Sequence, residues 1–89
     1  MKSREFVEEI ERQFVPISPI IEYAIKKQLA EIGATKDDLD PNQAMKFVEK
    51  MTDALELFLG EAEAKKKRKF MVSLLRKHAP DYFEERSLI

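Results

Sequence analysis

Apolar residues recur every three or four positions along most of the chain, which is the period of an amphipathic α-helix. No stretch of useful length shows the strict alternation that predicts a β-strand. The pattern predicts four helices, over residues 3–14, 19–32, 41–59 and 61–78, and a short helical turn at 81–84. We therefore expect an all-α protein, a compact bundle of four helices with a short fifth C-terminal helical turn.

Glycine and proline mark several of the predicted helix boundaries. Asp40 and Pro41 are typical of an N-cap and a first helical position, and Gln43 stands where its side chain can reach back to the cap, as in a capping box. Gly33 and Gly60 follow the second and third apolar patterns, where a residue in the left-handed conformation commonly ends a helix. These signals predict both ends of the third helix.

The remaining boundaries rest on shorter signals. Ser18 and Pro19 predict the cap and the first residue of the second helix. Pro80 prevents the fourth helix from continuing, and Asp81 is the expected cap of the final turn. Three apolar residues of this segment are expected to close one end of the core: Tyr82, Phe83 and Leu88.

The third helix has the widest apolar face. Eight of its residues fill an arc of roughly 140°, which predicts a central helix in contact with several others. Leu57 projects away from this arc. Beside uncovered parts of Phe47, Ala54 and Phe58, it would form an apolar patch suited to another helix, in a second copy or a different protein. The second helix carries a narrower stripe, widened by Ile20 and Ala24: Ile21, Ile25, Leu29 and Ile32.

Composition narrows the possible functions. The chain has 89 residues, enough for one small domain, and 44% of them are hydrophobic and 37% charged. It has no cysteine and one histidine, which excludes disulfides and thiolate metal sites and argues against a histidine-based one. We expect no metal and no organic cofactor. Charged residues far outnumber asparagine and glutamine, a bias typical of proteins from hot environments.

Charge is distributed unevenly along the chain, although the formal net charge is only -1. Residues 64–79 contain seven basic and no acidic side chains, whereas residues 1–63 contain eight basic and fourteen acidic ones. Five of the cations share one side of the predicted fourth helix and are called the basic face: Lys65, Lys66, Lys69, Arg76 and Lys77.

The basic face allows two main interpretations, beside a merely solvated helix face and contact with an acidic protein or a lipid surface. A line of lysine and arginine side chains is typical of surfaces that bind the phosphates of a nucleic acid. However, no aromatic or asparagine side chain lies within residues 65–69 to contact a base. The alternative is complementary charge, facing the fourth helix within one molecule or between two, from acidic residues of the first two helices: Glu5, Glu8, Glu9, Glu11 and Glu22.

Signals of catalysis are weak. His78 is the only imidazole in the chain, but no nucleophile stands near it in the sequence, and a helix C-terminus is by itself a favourable place for histidine. The segment before the third helix resembles a calcium loop, yet Gln43 stands where the turn needs glycine and Lys46 where a ligand is needed. Asp37 and Asp38 are more typical of caps than of a catalytic pair. We expect no enzymatic activity.

The sequence thus predicts a small, non-catalytic helical module for protein–protein interaction that associates with itself, most simply as a homodimer. The expected interface residues are Phe47, Ala54, Leu57 and Phe58. A further protein partner of unknown identity is compatible with the same patch. Nucleic-acid binding through the basic face is the alternative function. No segment approaches the ~20 apolar residues of a membrane span, so we expect a cytoplasmic protein without a membrane partner.

Overall fold

The computed structural model describes residues 1–87, with side chains described for residues 1–84. Residues 1–87 form helices joined by short connections and contain no strand, which confirms the all-α prediction. None of the described helices is both long enough and apolar enough to cross a lipid bilayer. The helices are α1 (Ser3–Phe14), α2 (Ile20–Glu31), α3 (Pro41–Leu59), α4 (Glu61–His78) and α5 (Pro80–Ser87).

α3 packs against both α2 and α4, while α1 lies against α4 and α2. The centre of the core is formed where the apolar stripes of α1, α3 and α4 meet. There the rings of Phe6 and Phe47 stand edge to face, with centroids 6.5 Å apart, a geometry that aromatic pairs favour. Met51 of α3 and Met71 and Leu75 of α4 are fully buried in the same core.

The start of α3 confirms the predicted capping box. An Asp40 carboxylate oxygen accepts a hydrogen bond from the Gln43 N–H at 2.8 Å, and Gln43 Oε1 accepts one from the Asp40 N–H at 3.0 Å. At the other end, Gly60 separates α3 from α4 with a φ of 86°, a left-handed value that favours glycine. Both ends of the central helix are therefore specified by local sequence.

Two predicted boundaries need correction. α2 begins at Ile20, and the Ile21 N–H donates to the main-chain carbonyl of Ser18, so the predicted Ser18 side-chain cap is not used. The last helix begins at Pro80 rather than after Asp81, because the proline ring suits the first turn of a helix. The end of α4 at His78 is as predicted, and Leu88 lies outside the described residues.

The connection between α2 and α3 is attached to α1. The Ser3 hydroxyl donates to the Lys36 carbonyl at 2.6 Å and accepts from the Leu39 N–H at 3.0 Å. The Lys36 ammonium lies 2.9 Å from Glu11 Oε1, and Leu39 is buried. These contacts hold the turn that sets α2 beside α3.

Candidate functional site

α2 and α3 leave an open groove between them, with a volume of about 360 Å³. The residues that flank it are called the α2–α3 face: Ile20, Tyr23, Lys27 and Glu31 of α2, and Lys50, Asp53, Leu57 and Phe58 of α3.

The apolar part of the α2–α3 face is exposed to solvent. Leu57 is 85% exposed, Tyr23 66%, and Ile20 and Phe58 46% each. Together these four side chains expose on the order of 450 Å² of surface, within the range of the largest apolar patch on a typical monomer, which is often functional. All four line one groove, so the exposed apolar side chains are grouped there rather than scattered.

The predicted interface is partly corrected by the structure. Phe47 is 0% exposed and belongs to the core, so it cannot be an interface residue as predicted. Ala54 lines the floor of the groove, half-buried against the core, and Leu57 and Phe58 stand at its α3 edge. Tyr23 also lines the groove but was not predicted from the sequence, although its spacing of three from Ile20 on α2 is an available signal.

The charged part of the α2–α3 face is balanced. Lys50 Nζ lies 3.6 Å from Glu31 Oε2 and forms an ion pair across the groove. Lys27 and Asp53 also line the groove, and neither has an ion pair with any side chain described in residues 1–84. The face therefore carries two cations and two anions, and one of each is left without an opposite charge.

The basic face has a different electrostatic environment, because acidic residues of α4 itself lie beside it. Lys65 Nζ is 3.0 Å from Glu61 Oε1, and Lys66 Nζ is 3.4 Å from Glu63 Oε1. A hydrogen bond from Lys66, together with the charges of Lys66 and Lys67, holds the pKa of Glu63 below its usual value. Two residues of the basic face, Lys65 and Lys66, are thus paired with carboxylates of their own helix.

The remaining cations of α4 have different environments. Arg68 pairs with Glu49 of α3, with Arg68 Nη2 2.6 Å from Glu49 Oε1. The Arg76 guanidinium stacks over the Phe83 ring at 4.9 Å from its centroid, a cation–π contact. Within the described side chains, Lys69 and Lys77 have no ion pair. Of the five residues of the basic face, Lys65 and Lys66 are thus paired, whereas Lys69, Arg76 and Lys77 have no ion pair with a described side chain.

The acidic side of α1 does not oppose the basic face within one molecule. Glu11 pairs with Lys36, and Glu22 of α2 pairs with Lys26 on its own helix at 3.7 Å. Among the described side chains, Glu9 is the acidic residue of α1 with a partner on α4, and that partner is His78. Within the described part of one molecule, these acidic residues therefore form no ion pair with the basic face, and their contact with it between two molecules stays a prediction.

His78 is a core-edge residue at the end of α4. Its side chain is 10% exposed, and its ring stands edge to face against Phe6 at 6.2 Å. His78 Nε2 lies 3.5 Å from Glu9 Oε1 but has no hydrogen-bond partner in the described structure. The sequence did not reveal Glu9 as a neighbour, because the two residues are 69 positions apart.

The acidic residues before α3 act as hydrogen-bond acceptors for the main chain. An Asp38 carboxylate oxygen accepts from the Thr35 N–H at 2.6 Å, and Asp40 caps α3. In the described part of the chain, no group of three or more histidine, aspartate or glutamate side chains is arranged to hold a metal ion. Comparison with protein-family models, with curated proteins and with solved structures finds no match to this chain.

Proposed function

We propose that the protein is a non-catalytic interaction module that forms a homodimer through its α2–α3 face. The observation that carries this proposal is the exposure of Leu57, at 85%, beside an apolar groove. Each large apolar side chain stabilises a complex by roughly 1.5–3 kcal/mol when it is fully removed from water. Tyr23 and Phe58 add aromatic surface, the residue class that most often dominates interface energy.

A second copy of the chain suits this surface for two reasons. A specific interface buries about 800 Å² on each partner, and the exposed apolar area supplies on the order of half of that, with a charged rim to supply the rest. The rim carries equal numbers of cations and anions, so a copy of the same face meets no net repulsion. Strongly acidic or strongly basic partners gain no such advantage here.

Nucleic-acid binding through the basic face is the alternative proposal. The glutamates beside Lys65 and Lys66 weaken its support, because each cation held by a carboxylate contributes less to phosphate binding. Lys69, Arg76 and Lys77 remain available to it. The two proposals use different surfaces, so one set of measurements can separate them.

The test is the mass of the protein in solution, measured by light scattering after size-exclusion chromatography. Samples from roughly 1 to 300 μM cover association free energies of about -8 to -5 kcal/mol. We expect the wild type to have twice the mass of one chain, at low and high salt. The Leu57→Asp variant should be a monomer, because a carboxylate cannot be buried in an apolar interface without a partner.

Ile17→Asp is the matched control, since Ile17 is 47% exposed and lies outside the groove. It should leave the mass of the dimer unchanged. The proposal would be overturned if the wild type is a monomer over the whole concentration range, or if the Leu57→Asp variant is still a dimer. A monomer whose mass rises only with a random DNA duplex, and only at low salt, would support the alternative instead.

A further inference from the structure

The residues of the α2–α3 face form successive levels across the groove. On α2, Ile20, Tyr23, Lys27 and Glu31 are spaced by three or four and therefore follow one line along the helix. The chain reverses direction between α2 and α3, and the Glu31–Lys50 ion pair fixes which residues stand opposite each other. Moving along the groove from that pair, the residues of α2 descend in number as those of α3 ascend.

At each level, the residues of α2 and α3 match in chemistry: they carry opposite charges at one end of the groove and are apolar at the other. Lys50 is opposite Glu31, and counting about one turn along each helix from that pair brings Lys27 and Asp53, which both line the groove, to the next level. The remaining levels are apolar and are lined by Tyr23 and Ile20 of α2 and by Leu57 and Phe58 of α3. One end of the face is therefore charged, with opposite signs on opposite helices, and the other end is apolar on both helices.

We propose that the dimer has its two-fold axis along the groove, so that Lys27 of each copy pairs with Asp53 of the other. This inference rests on the proposed function and specifies its geometry. A two-fold rotation about an axis parallel to the groove places α2 of one copy over α3 of the second copy, at the same level. Apolar levels then meet apolar levels, and every charge meets its opposite.

The other face-to-face arrangement is electrostatically poor. A two-fold axis across the groove places α2 over α2 and reverses its direction, so the charged end of one copy covers the apolar end of the second. Lys27 and Glu31 would then be buried against Tyr23 and Ile20, and a charge removed from water without a partner is costly. The order of residues along the face therefore selects one register.

Lys27 and Asp53 are the residues whose charges this register uses. Glu31 and Lys50 already pair within one chain, whereas Lys27 and Asp53 have no ion pair with the described side chains. Association supplies each of them with an opposite charge, twice per dimer because of the symmetry. The two residues thus determine specificity for a second copy, while the apolar levels supply most of the buried surface.

Charge reversal tests this register. Lys27→Glu and Asp53→Lys each place like charges opposite one another twice, so each should weaken the dimer by about tenfold or more. The double variant restores both pairs and should associate like the wild type. An equimolar mixture of the two single variants, one of them isotope-labelled, should form the heterodimer in preference to either homodimer in native mass spectrometry.

Lys46→Glu and Glu56→Lys are the matched controls, because both residues are exposed on α3 and lie outside the groove. They change net charge equally and should leave the dimer dissociation constant within about twofold of the wild type. The register would be overturned, while self-association stands, if both single variants dimerise as tightly as the wild type. It would also be overturned if the mixture of the two single variants forms no excess of heterodimer. A wild type that never dimerises would overturn the proposed function itself.

Discussion

The α2–α3 face and the basic face differ in whether their exposed side chains have partners within the molecule. On the basic face, Lys65 and Lys66 find carboxylates three or four residues away on their own helix. On the α2–α3 face, Leu57 and Tyr23 are exposed above a groove, and Lys27 and Asp53 lack ion pairs with the described side chains.

The difference has a simple physical origin. Opposite charges at a spacing of three or four residues can pair on the surface of a single helix. The positive charge of neighbouring lysines can therefore be reduced by glutamates of the same helix. A neighbour on the same helix cannot do the same for an exposed apolar side chain, because only removal from water lowers the free energy of that side chain. The run of lysines is the more conspicuous sequence feature, but the exposed leucine is the stronger indication of a binding surface.

The largest expected effect separates the groove from the core. In the Leu57→Asp background, where we expect a monomer, Phe47→Ala should lower the free energy of unfolding by about 3–5 kcal/mol because it leaves a cavity. Phe58→Ala in the same background should cost about 1 kcal/mol or less, since that ring is 46% exposed. Urea denaturation measures both. Equal losses would mean that Phe58 is a core residue and that the face is smaller than described.

A second, intermediate effect concerns the basic face. Replacing both Glu61 and Glu63 with glutamine removes the carboxylates beside Lys65, Lys66 and Lys67, so binding to a random DNA duplex at low salt should tighten by about two- to tenfold. The slope of affinity against salt should also steepen, as followed by fluorescence anisotropy.

The control for that experiment is the Glu5→Gln and Glu56→Gln double variant, which changes net charge by the same amount at exposed residues outside α4. It should leave DNA binding close to that of the wild type. Mild acid is no substitute for the substitution, because the lysines beside Glu63 hold its pKa below the usual value and keep it ionised. An unchanged affinity in the Glu61/Glu63 variant would show that local pairing does not control this surface.

Helix positions were predictable because their signals are local. The capping box of Asp40 and Gln43 and the left-handed Gly60 act within four residues, so the sequence predicts α3 correctly at both ends. Ser18 is not used as a side-chain cap because α2 begins one residue later than predicted, at Ile20, and the Ile21 N–H bonds to the Ser18 main-chain carbonyl. Asp81 is not the residue before the last helix because Pro80 suits the first helical turn. Competing local signals therefore limit the prediction of boundaries.

The α2–α3 face was predictable only in part, because its exposure depends on which helix covers which arc of α3. A helical wheel places Phe47 and Phe58 on the same broad apolar arc of α3, yet Phe47 is buried and Phe58 is half exposed. Leu57 was identified because it projects away from that arc. That Lys27 and Asp53 line the same groove could not be predicted, since it depends on how α2 lies against α3.

The smallest expected effect comes from an ion pair that combines features of both surfaces. Arg4 of α1 and Asp37 of the α2–α3 connection are exposed, like the lysines of α4, but they join distant segments, like the residues of the groove. A hydrogen bond and the positive charge of Arg4 hold the pKa of Asp37 below its usual value. Asp37→Asn should therefore cause a small decrease in the unfolding midpoint at neutral pH.

The sign of the pH dependence follows from that lowered pKa. A carboxyl group whose pKa is lower in the folded state stabilises the protein above its ordinary pKa, near 4, and loses this contribution as the pH falls through the folded value. The midpoints of wild type and Asp37→Asn should thus converge below about pH 4. Arg4→Gln should give the same profile, since it removes the same pair. A difference that stays constant down to the lowest pH would show that Asp37 acts through the shape of the connection and not through its charge.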